Sequence, residues 1–305
     1  MSCEESWWAL ALTEEVNGKK PLSVDIGDQP VVLWRDSQGI ARALEDRCPH
    51  RRAPLSLGRI RDNGWLQCGY HGWTYDGESG KLCEIPNLKN QQRFAPVYCA
   101  RHFAVHEADG FVKVCLNETA AAPSARGTAM PLSGTVHVPL DHGEYLTALF
   151  DDPTLLLEIS GVQFTPYPIS DLHEENGRLI MERNCQWKVL HWPAPFSSDY
   201  PLTVRTATDP VTGETELILR NRALQDLMTL VLAPVPTPRG VTAIRWRAAL
   251  GQHGTGLFGL LSKLRSPVQV RTAIDAGALR KLKPSASAQF IEMRYPEHRT
   301  IQKAV

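Results

Sequence analysis

Cys48-Pro49-His50-Arg51 and Cys68-Gly69-Tyr70-His71-Gly72-Trp73 are the two stretches on which this chain turns. Residues 51 to 67 separate His50 from Cys68, a gap of 17. The first stretch is C-x-H and the second C-x-x-H. Two cysteines and two histidines in short loops are a donor set for metal. Zinc can use such a set, although its usual pattern pairs Cys with Cys and His with His. Here each pair mixes one thiol with one imidazole. That suits a centre of two metals with different ligation, thiolates on one iron and imidazoles on the other. Gly69, Gly72 and Pro49 allow tight turns whose amides can point at bridging sulfides. Trp73 and Tyr70 are placed to keep water away.

Working outward, residues 22 to 116 read as many short strands. Pro30–Asp36 and Ile40–Asp46 are apolar runs joined by Ser37-Gln38-Gly39, a hairpin signal. Phe103–Val105 and Phe111–Leu116 flank Ala108-Asp109-Gly110, with Asp-Gly at the turn. A small antiparallel β domain with two long tips follows from this. Residues 117–134 are rich in Ala, Pro, Ser and Gly and read as a linker, or as a short helix over Glu118–Ala122. After them comes a helix over Glu144–Phe150. Strands are predicted over Gly161–Thr165, Arg178–Leu190, Pro201–Ala207, Glu214–Ala223, Leu227–Ala233 and Val241–Leu250, with turn signals such as Asn176-Gly177 between most of them. Phe258–Lys283 reads as a helix, with Val268, Val270, Ala273, Ile274 and Leu282 on recurring turns and Pro284 after it. The second region is therefore α+β, a curved antiparallel sheet with helices packed on it. The expected domains are 1–116, a linker 117–134, and 135–305.

Composition narrows the function classes. Of 305 residues, 43% are apolar and 22% charged, ordinary values for a chain with a real core. Lys+Arg and Asp+Glu are both 33, so the net charge is zero, which argues against nucleic acid or an acidic membrane surface as partner. No apolar run approaches the ~20 residues that span a bilayer. The start, Met1-Ser2-Cys3-Glu4-Glu5-Ser6-Trp7-Trp8, is acidic and unlike a secretory signal. Seven scattered cysteines fit a reducing cytoplasm better than a disulfide framework. Cys3, Cys83, Cys99, Cys115 and Cys185 have no ligand spacing and read as small buried side chains.

The two loops resemble those of a Rieske [2Fe–2S] domain. The flanking Val32-Leu33-Trp34-Arg35-Asp36, Ala43-Leu44-Glu45-Asp46-Arg47, Ala53-Pro54-Leu55-Ser56, Gly58-Arg59, Gly80 and Ile85-Pro86 resemble Rieske non-haem iron oxygenases of the vanillate-demethylase-like type. The resemblance covers residues 7 to 116. It implies that Cys48 and Cys68 ligate one iron and His50 and His71 the other. It implies an all-β Rieske domain followed by a helix-grip, START-like catalytic domain. It also implies a reductase or ferredoxin as electron donor, a small-molecule substrate, and a ring-like trimer or other homo- or hetero-oligomer.

The same family carries a mononuclear Fe(II) on two histidines and one carboxylate. Here the chain departs from the pattern. The nearest match, Asp152-Pro153-Thr154-Leu155, has Leu155 at the first histidine and Ser160 at the second. Val270 falls at the carboxylate, with Asp275 one turn further on. His137, His142, His173 and His191 are other donors, Asp171-x-His173 with Glu174 and Glu175 and Asp141-His142 being the candidate groupings. His173 also reads as a polar hairpin tip, His142 as a polar residue before a helix and His191 as a loop residue. Asp152 reads either as a bridge between subunits or as a helix cap. Two functions follow. One is a terminal oxygenase component that hydroxylates or demethylates a small, mostly apolar substrate with O2. The other is an electron-transfer or accessory Rieske subunit that serves a partner oxygenase subunit. The catalytic residues stay unassigned.

Overall fold

The structure, a computed structural model, describes residues 5–88, 94–117, 121–187, 201–251, 266–274, 287, 289 and 290. The chain divides into two units, Met1–Thr128 and Ala129–Val305.

The first unit is built of three small antiparallel sheets. One has the order β1 (Trp7–Leu12), β10 (Phe111–Cys115), β9 (Ala104–Ala108). The second is β2 (Leu22–Ile26), β3 (Gln29–Arg35), β4 (Ala41–Glu45), and the third runs β5 (Arg59–Ile60), β6 (Leu66–Gln67), β7 (Thr74–Tyr75), β8 (Leu82–Glu84). Both expected hairpins form. Val31 pairs with Glu45 and Arg35 with Ala41 across Ser37-Gln38-Gly39. Asp109 (φ 53°) and Gly110 (φ 79°) are both left-handed, as the tight turn joining β9 to β10 requires. Strand β1 lies outside the stretch read as strands. It pairs Trp7 with Cys115, and its last five residues are buried. Val32, Trp34, Leu44, Leu55, Leu66, Tyr75 and Leu82 form one core that also contains Cys48 and Cys68. The Trp34 indole joins the second sheet to the turn before β6, donating to the Gly64 carbonyl at 2.9 Å.

The second unit is one ten-stranded antiparallel sheet with one described α-helix. Its strands are β11 (Leu132–Val138), β12 (Leu157–Ile159), β13 (Val162–Pro168), β14 (His173–Glu175), β15 (Arg178–Trp187), β16 (Leu202–Thr208), β17 (Thr215–Arg220), β18 (Asp226–Thr237), β19 (Val241–Leu250) and β20 (Val268–Val270). The order is β11-β19-β18-β17-β16-β15-β13-β12-β20, with β14 paired to β15. Asn176 (φ 52°) and Gly177 (φ 73°) make the turn between β14 and β15.

Three readings need correction. Strand β11 begins at Leu132, inside the stretch expected to be linker, because residues 132–138 pair in register with Val241–Leu250 of β19. Val268–Val270 is a strand, not part of a helix. Val268 and Val270 are buried while Gln269 is exposed, a period of two, and Leu157–Ile159 offers them an edge. Residues 258–265 and 275–283 of that expected helix lie outside the described residues. Finally, Cys83 and Cys99 are partly exposed, whereas Cys115 and Cys185 are buried as expected. Cys3 lies outside the described residues.

The helix α1 (His142–Asp151) starts two residues before the predicted Glu144, and its cap explains the start. The amide of Glu144 donates to the Asp141 carboxylate at 2.8 Å, and the Asp141 amide donates back to the Glu144 carboxylate at 3.2 Å. This reciprocal box satisfies two amides that the first turn leaves without partners. Tyr145, Leu146, Ala148, Leu149 and Phe150 are buried and join the core formed with the sheet residues Leu179, Val204, Leu217, Leu230 and Ile244. At the other end Arg183, only 4% exposed on β15, donates to the carbonyls of Phe150 (2.6 Å) and Thr165 (2.5 Å). A buried cation at a helix C-terminus meets both the free carbonyls and the negative end of the helix dipole. Burial pulls the Arg183 pKa below the ordinary guanidinium value.

Replacing Asp141 with Ala removes the box. The expected cost is about 0.5–2 kcal/mol, read as a lower denaturant midpoint with unchanged slope.

Candidate metal centre

The two loops fold on the same hydrogen-bond plan. The amide of Cys48 donates to the carbonyl of Ala53 at 2.8 Å, and the amide of Arg52 donates to the carbonyl of Cys48 at 2.7 Å. In the second loop the amide of Cys68 donates to Trp73 at 2.8 Å, and that of Gly72 donates to Cys68 at 3.1 Å. The residue four after each cysteine is left-handed, Arg52 at φ 58° and Gly72 at φ 73°. At Gly72 a side chain would also strike the Pro86 ring. At Arg52 the conformation carries the usual cost for a residue with a Cβ, and the guanidinium is tied back to Glu45 at 2.8 Å. Each turn therefore directs two amides at its own sulfur. His50 and Arg51 donate to Cys48, and Tyr70 and His71 donate to Cys68.

The four donors separate into an inner and an outer pair. Cys48 and Cys68 are 2% and 3% exposed, part of the first unit's core. The two imidazoles sit further out, His50 half-buried and His71 exposed, with ring centroids 4.8 Å apart. Trp73 of the second loop stacks on His50 of the first at 4.3 Å and an interplanar angle of 1°. Tyr98 meets Trp73 edge-on at 5.3 Å. Tyr70 lies against His71 at 3.9 Å but is itself 60% exposed, so it covers an imidazole rather than the sulfurs.

The neighbouring Cys68 thiol pulls the Cys48 thiol down, against the opposing effect of burial. The Tyr75 hydroxyl, 3.1 Å from the Cys48 sulfur, and the amides of His50 and Arg51 lower it further. Cys68 moves up, first because of its hydrogen bond with Cys48 and then because of burial. One thiolate is thus favoured in a pocket of donors, and thiolate is the form that binds metal. Two buried sulfurs supported by amides, with two imidazoles outside them, fit a two-iron centre that takes two protein donors at each iron. No three His, Cys, Asp or Glu side chains gather about one point among the described residues. A two-plus-two set does not require such a trio.

Two supporting residues carried no signal in the sequence. Tyr75 is wholly buried on β7, opposite Leu66 of β6, and only this pairing turns its phenol to Cys48. Gln67, 6% exposed, donates to the Gly72 carbonyl at 3.0 Å and to Thr74 Oγ1 at 3.2 Å, and accepts from Arg59 Nε at 2.7 Å. It clamps the second loop from inside. A groove of about 340 Å³ lies elsewhere, lined by Arg42, Glu78, His102 and Phe103 among others. It contains none of the four donors, and the chemistry sits in the loops.

The other candidate donors are dispersed. His137 and His173 are exposed, with His173 Nδ1 at 2.9 Å from the Asp171 carbonyl at a hairpin. His142, read as part of a polar stretch before a helix, is instead the first residue of α1 and 1% exposed, its ring over Gly213. Its place inside the cap turn buries it. Asp152 caps the turn Pro153–Leu155, accepting from the Thr154 amide at 3.1 Å. His191 and Asp275 lie outside the described residues.

Residues 6–105 match the Rieske [2Fe-2S] domain family. The chain is 35% identical over 170 residues to the chloroplastic protein TIC 55 of Arabidopsis thaliana, a match covering 53% of this chain and 31% of that protein. It is 42% identical over 107 residues to the vanillate O-demethylase oxygenase subunit of Pseudomonas sp. (strain HR199 / DSM 7063), covering 35% and 28%. The chain thus spans about a third of the length of the curated relatives it matches. Dicamba monooxygenase with non-haem iron and dicamba superposes with a TM-score of 0.67 at 19% identity, covering 99% of each chain. At that identity the likeness establishes the fold.

Replacing Gln67 with Leu leaves the buried Gly72 carbonyl without its amide donor. The expected loss is about 1–3 kcal/mol of stability, measured by denaturant unfolding monitored at Trp fluorescence.

Proposed function

We propose, for a chain whose residues 6–105 are a Rieske [2Fe–2S] domain and whose full length has the fold of the Rieske non-haem iron oxygenases, that it is the oxygenase component of a multi-protein oxidoreductase. Electrons come singly from a reductase or ferredoxin. They support O2-dependent hydroxylation or demethylation of a small, mostly apolar substrate. Cys48 and Cys68 would hold one iron, and His50 and His71 the other. The observation that carries this reading is the nesting of two sulfurs and two imidazoles in loops of one hydrogen-bond plan.

A bound cluster of this type supplies one-electron transfer at about −150 to +300 mV. The chain's residues tune and shield it. The neutral imidazoles replace two thiolates and so reduce the negative charge of the centre. The amides at His50, Arg51, Tyr70 and His71 and the hydroxyl of Tyr75 face the sulfurs, which stabilises the electron-rich reduced state. Trp73 covers one face of His50, while His71 stays exposed. No helix among the described residues is long and apolar enough to cross a membrane. Cys83, Cys99, Cys115 and Cys185, outside the two loops, form no disulfide, which supports a reducing, cytoplasmic setting. An oligomeric assembly is part of the same reading.

Three variants test it by visible absorption, EPR and redox titration. Cys68→Ser is expected to abolish the iron and acid-labile sulfide. His71→Cys is expected to leave a cluster of lower potential, since a thiolate adds negative charge; an unchanged spectrum and potential would refute the ligand assignment. Tyr75→Phe removes one hydrogen bond of about 0.5–1.5 kcal/mol and is expected to lower the potential by roughly 20–65 mV at ~59 mV per tenfold change.

A further inference from the structure

The three positions where the chain departs from the iron-binding pattern fall on the turn before β12, just after β12 and on β20. Leu155 ends the turn Pro153–Leu155 and packs, partly buried, on the core of the second unit. The chain then enters β12, which pairs with β20 so that Leu157 faces Val270. The amide of Arg271 donates to the Leu156 carbonyl at 2.8 Å, and that of Ser160 donates to the Pro267 carbonyl at 2.9 Å. The register sets Ser160 opposite Pro267, three residues along the ladder from Val270, so the three positions line one sheet edge without meeting at a point. They present two hydrocarbon groups and one neutral hydroxyl. None of these supplies the imidazole or carboxylate donors that a non-haem iron needs. Among the described residues no trio of His, Cys, Asp and Glu stands in for them.

The same unit contains a buried cation. Besides its bonds to Phe150 and Thr165, the Arg183 guanidinium reaches the Asp151 carbonyl at 3.4 Å. Asp151 and Asp152 both act on it electrostatically, and Cys185 is the other group that does. The Asp152 carboxylate is also held by Thr154. A buried guanidinium needs such partners, because an unpaired charge in the interior is costly. A divalent ion placed beside it would be repelled.

We propose that the second unit holds no mononuclear iron, and that the Arg183 guanidinium is the fixed positive charge on which the Asp151–Asp152 turn closes instead. The inference rests on the cluster reading above and places the O2-dependent step on a partner subunit. An electron that a reductase or ferredoxin gives to this chain leaves, one at a time, to a ferric iron carried by a partner oxygenase subunit, which is reduced to the ferrous state.

The test is the iron and acid-labile sulfide content of the full chain, produced with excess iron and purified anaerobically. Two irons and two sulfides per chain are expected, unchanged after incubation with Fe(II) and desalting. Three irons with two sulfides overturn the inference and leave the cluster reading intact. Absence of sulfide overturns the cluster reading instead. Co(II) added to the holoprotein is expected to leave Tm unchanged and to bring no ligand-field absorption; a rise in either overturns the inference. Arg183→Lys keeps the charge and loses the fork. It is expected to lower Tm by about 4 °C or more with the iron count unchanged, and an unchanged Tm overturns the role given to the guanidinium.

Discussion

Trp73 joins the two loops on which the first unit depends. Its carbonyl closes the turn around Cys68, and its ring stacks on His50 of the other loop. Gln67 fixes the same segment from below through the Gly72 carbonyl. These contacts leave two thiols inside a core and two imidazoles outside it. The cost of burying sulfur as thiolate is offset by amides and a phenol that point at it, since a buried charge persists only where donors surround it. The strands β6 and β7 are two residues each, too short to be stable alone, and they hold because the core residues Leu66 and Tyr75 pack with Trp34 and Leu44.

The second unit also buries charge. The sheet and α1 exclude water from Leu149, Phe150, Leu156 and Ile159, and Arg183 is one of the charged side chains buried in the same unit. It saturates the carbonyl end of α1 and orients the turn that follows. The fold is shared along its whole length with a monooxygenase whose structure contains non-haem iron, while Leu155, Ser160 and Val270 here are hydrocarbon and hydroxyl side chains. Fold and site are separable, because the sheet needs buried Val and Leu whereas a metal site needs particular donors.

Much of this was legible in the residues. The Cys-x-His and Cys-x-x-His spacings, the Asp109-Gly110 and Asn176-Gly177 turns and the alternating strands of residues 178–250 are local signals, set by backbone stereochemistry and by a period of two. The absence of histidine at 155 and 160 was equally plain. The strand at Val268–Val270 was not. Three residues carry too little pattern, and an edge 110 residues earlier in the chain decides their conformation. The same holds for β1, whose partner is β10 about 100 residues away.

Sequence alone determined the donor types, their spacing, the alternation of the sheet and the want of histidine at 155 and 160, because each is a property of one residue or of neighbours in the chain. Tertiary structure decided which side chains turn inward to serve them. Tyr75 meets Cys48 across 27 residues, Trp73 reaches His50 across 23, and Arg183 meets Phe150 across 33. Contacts of that kind depend on strand register and loop closure. They exist only when the whole chain has folded, so no local pattern announces them.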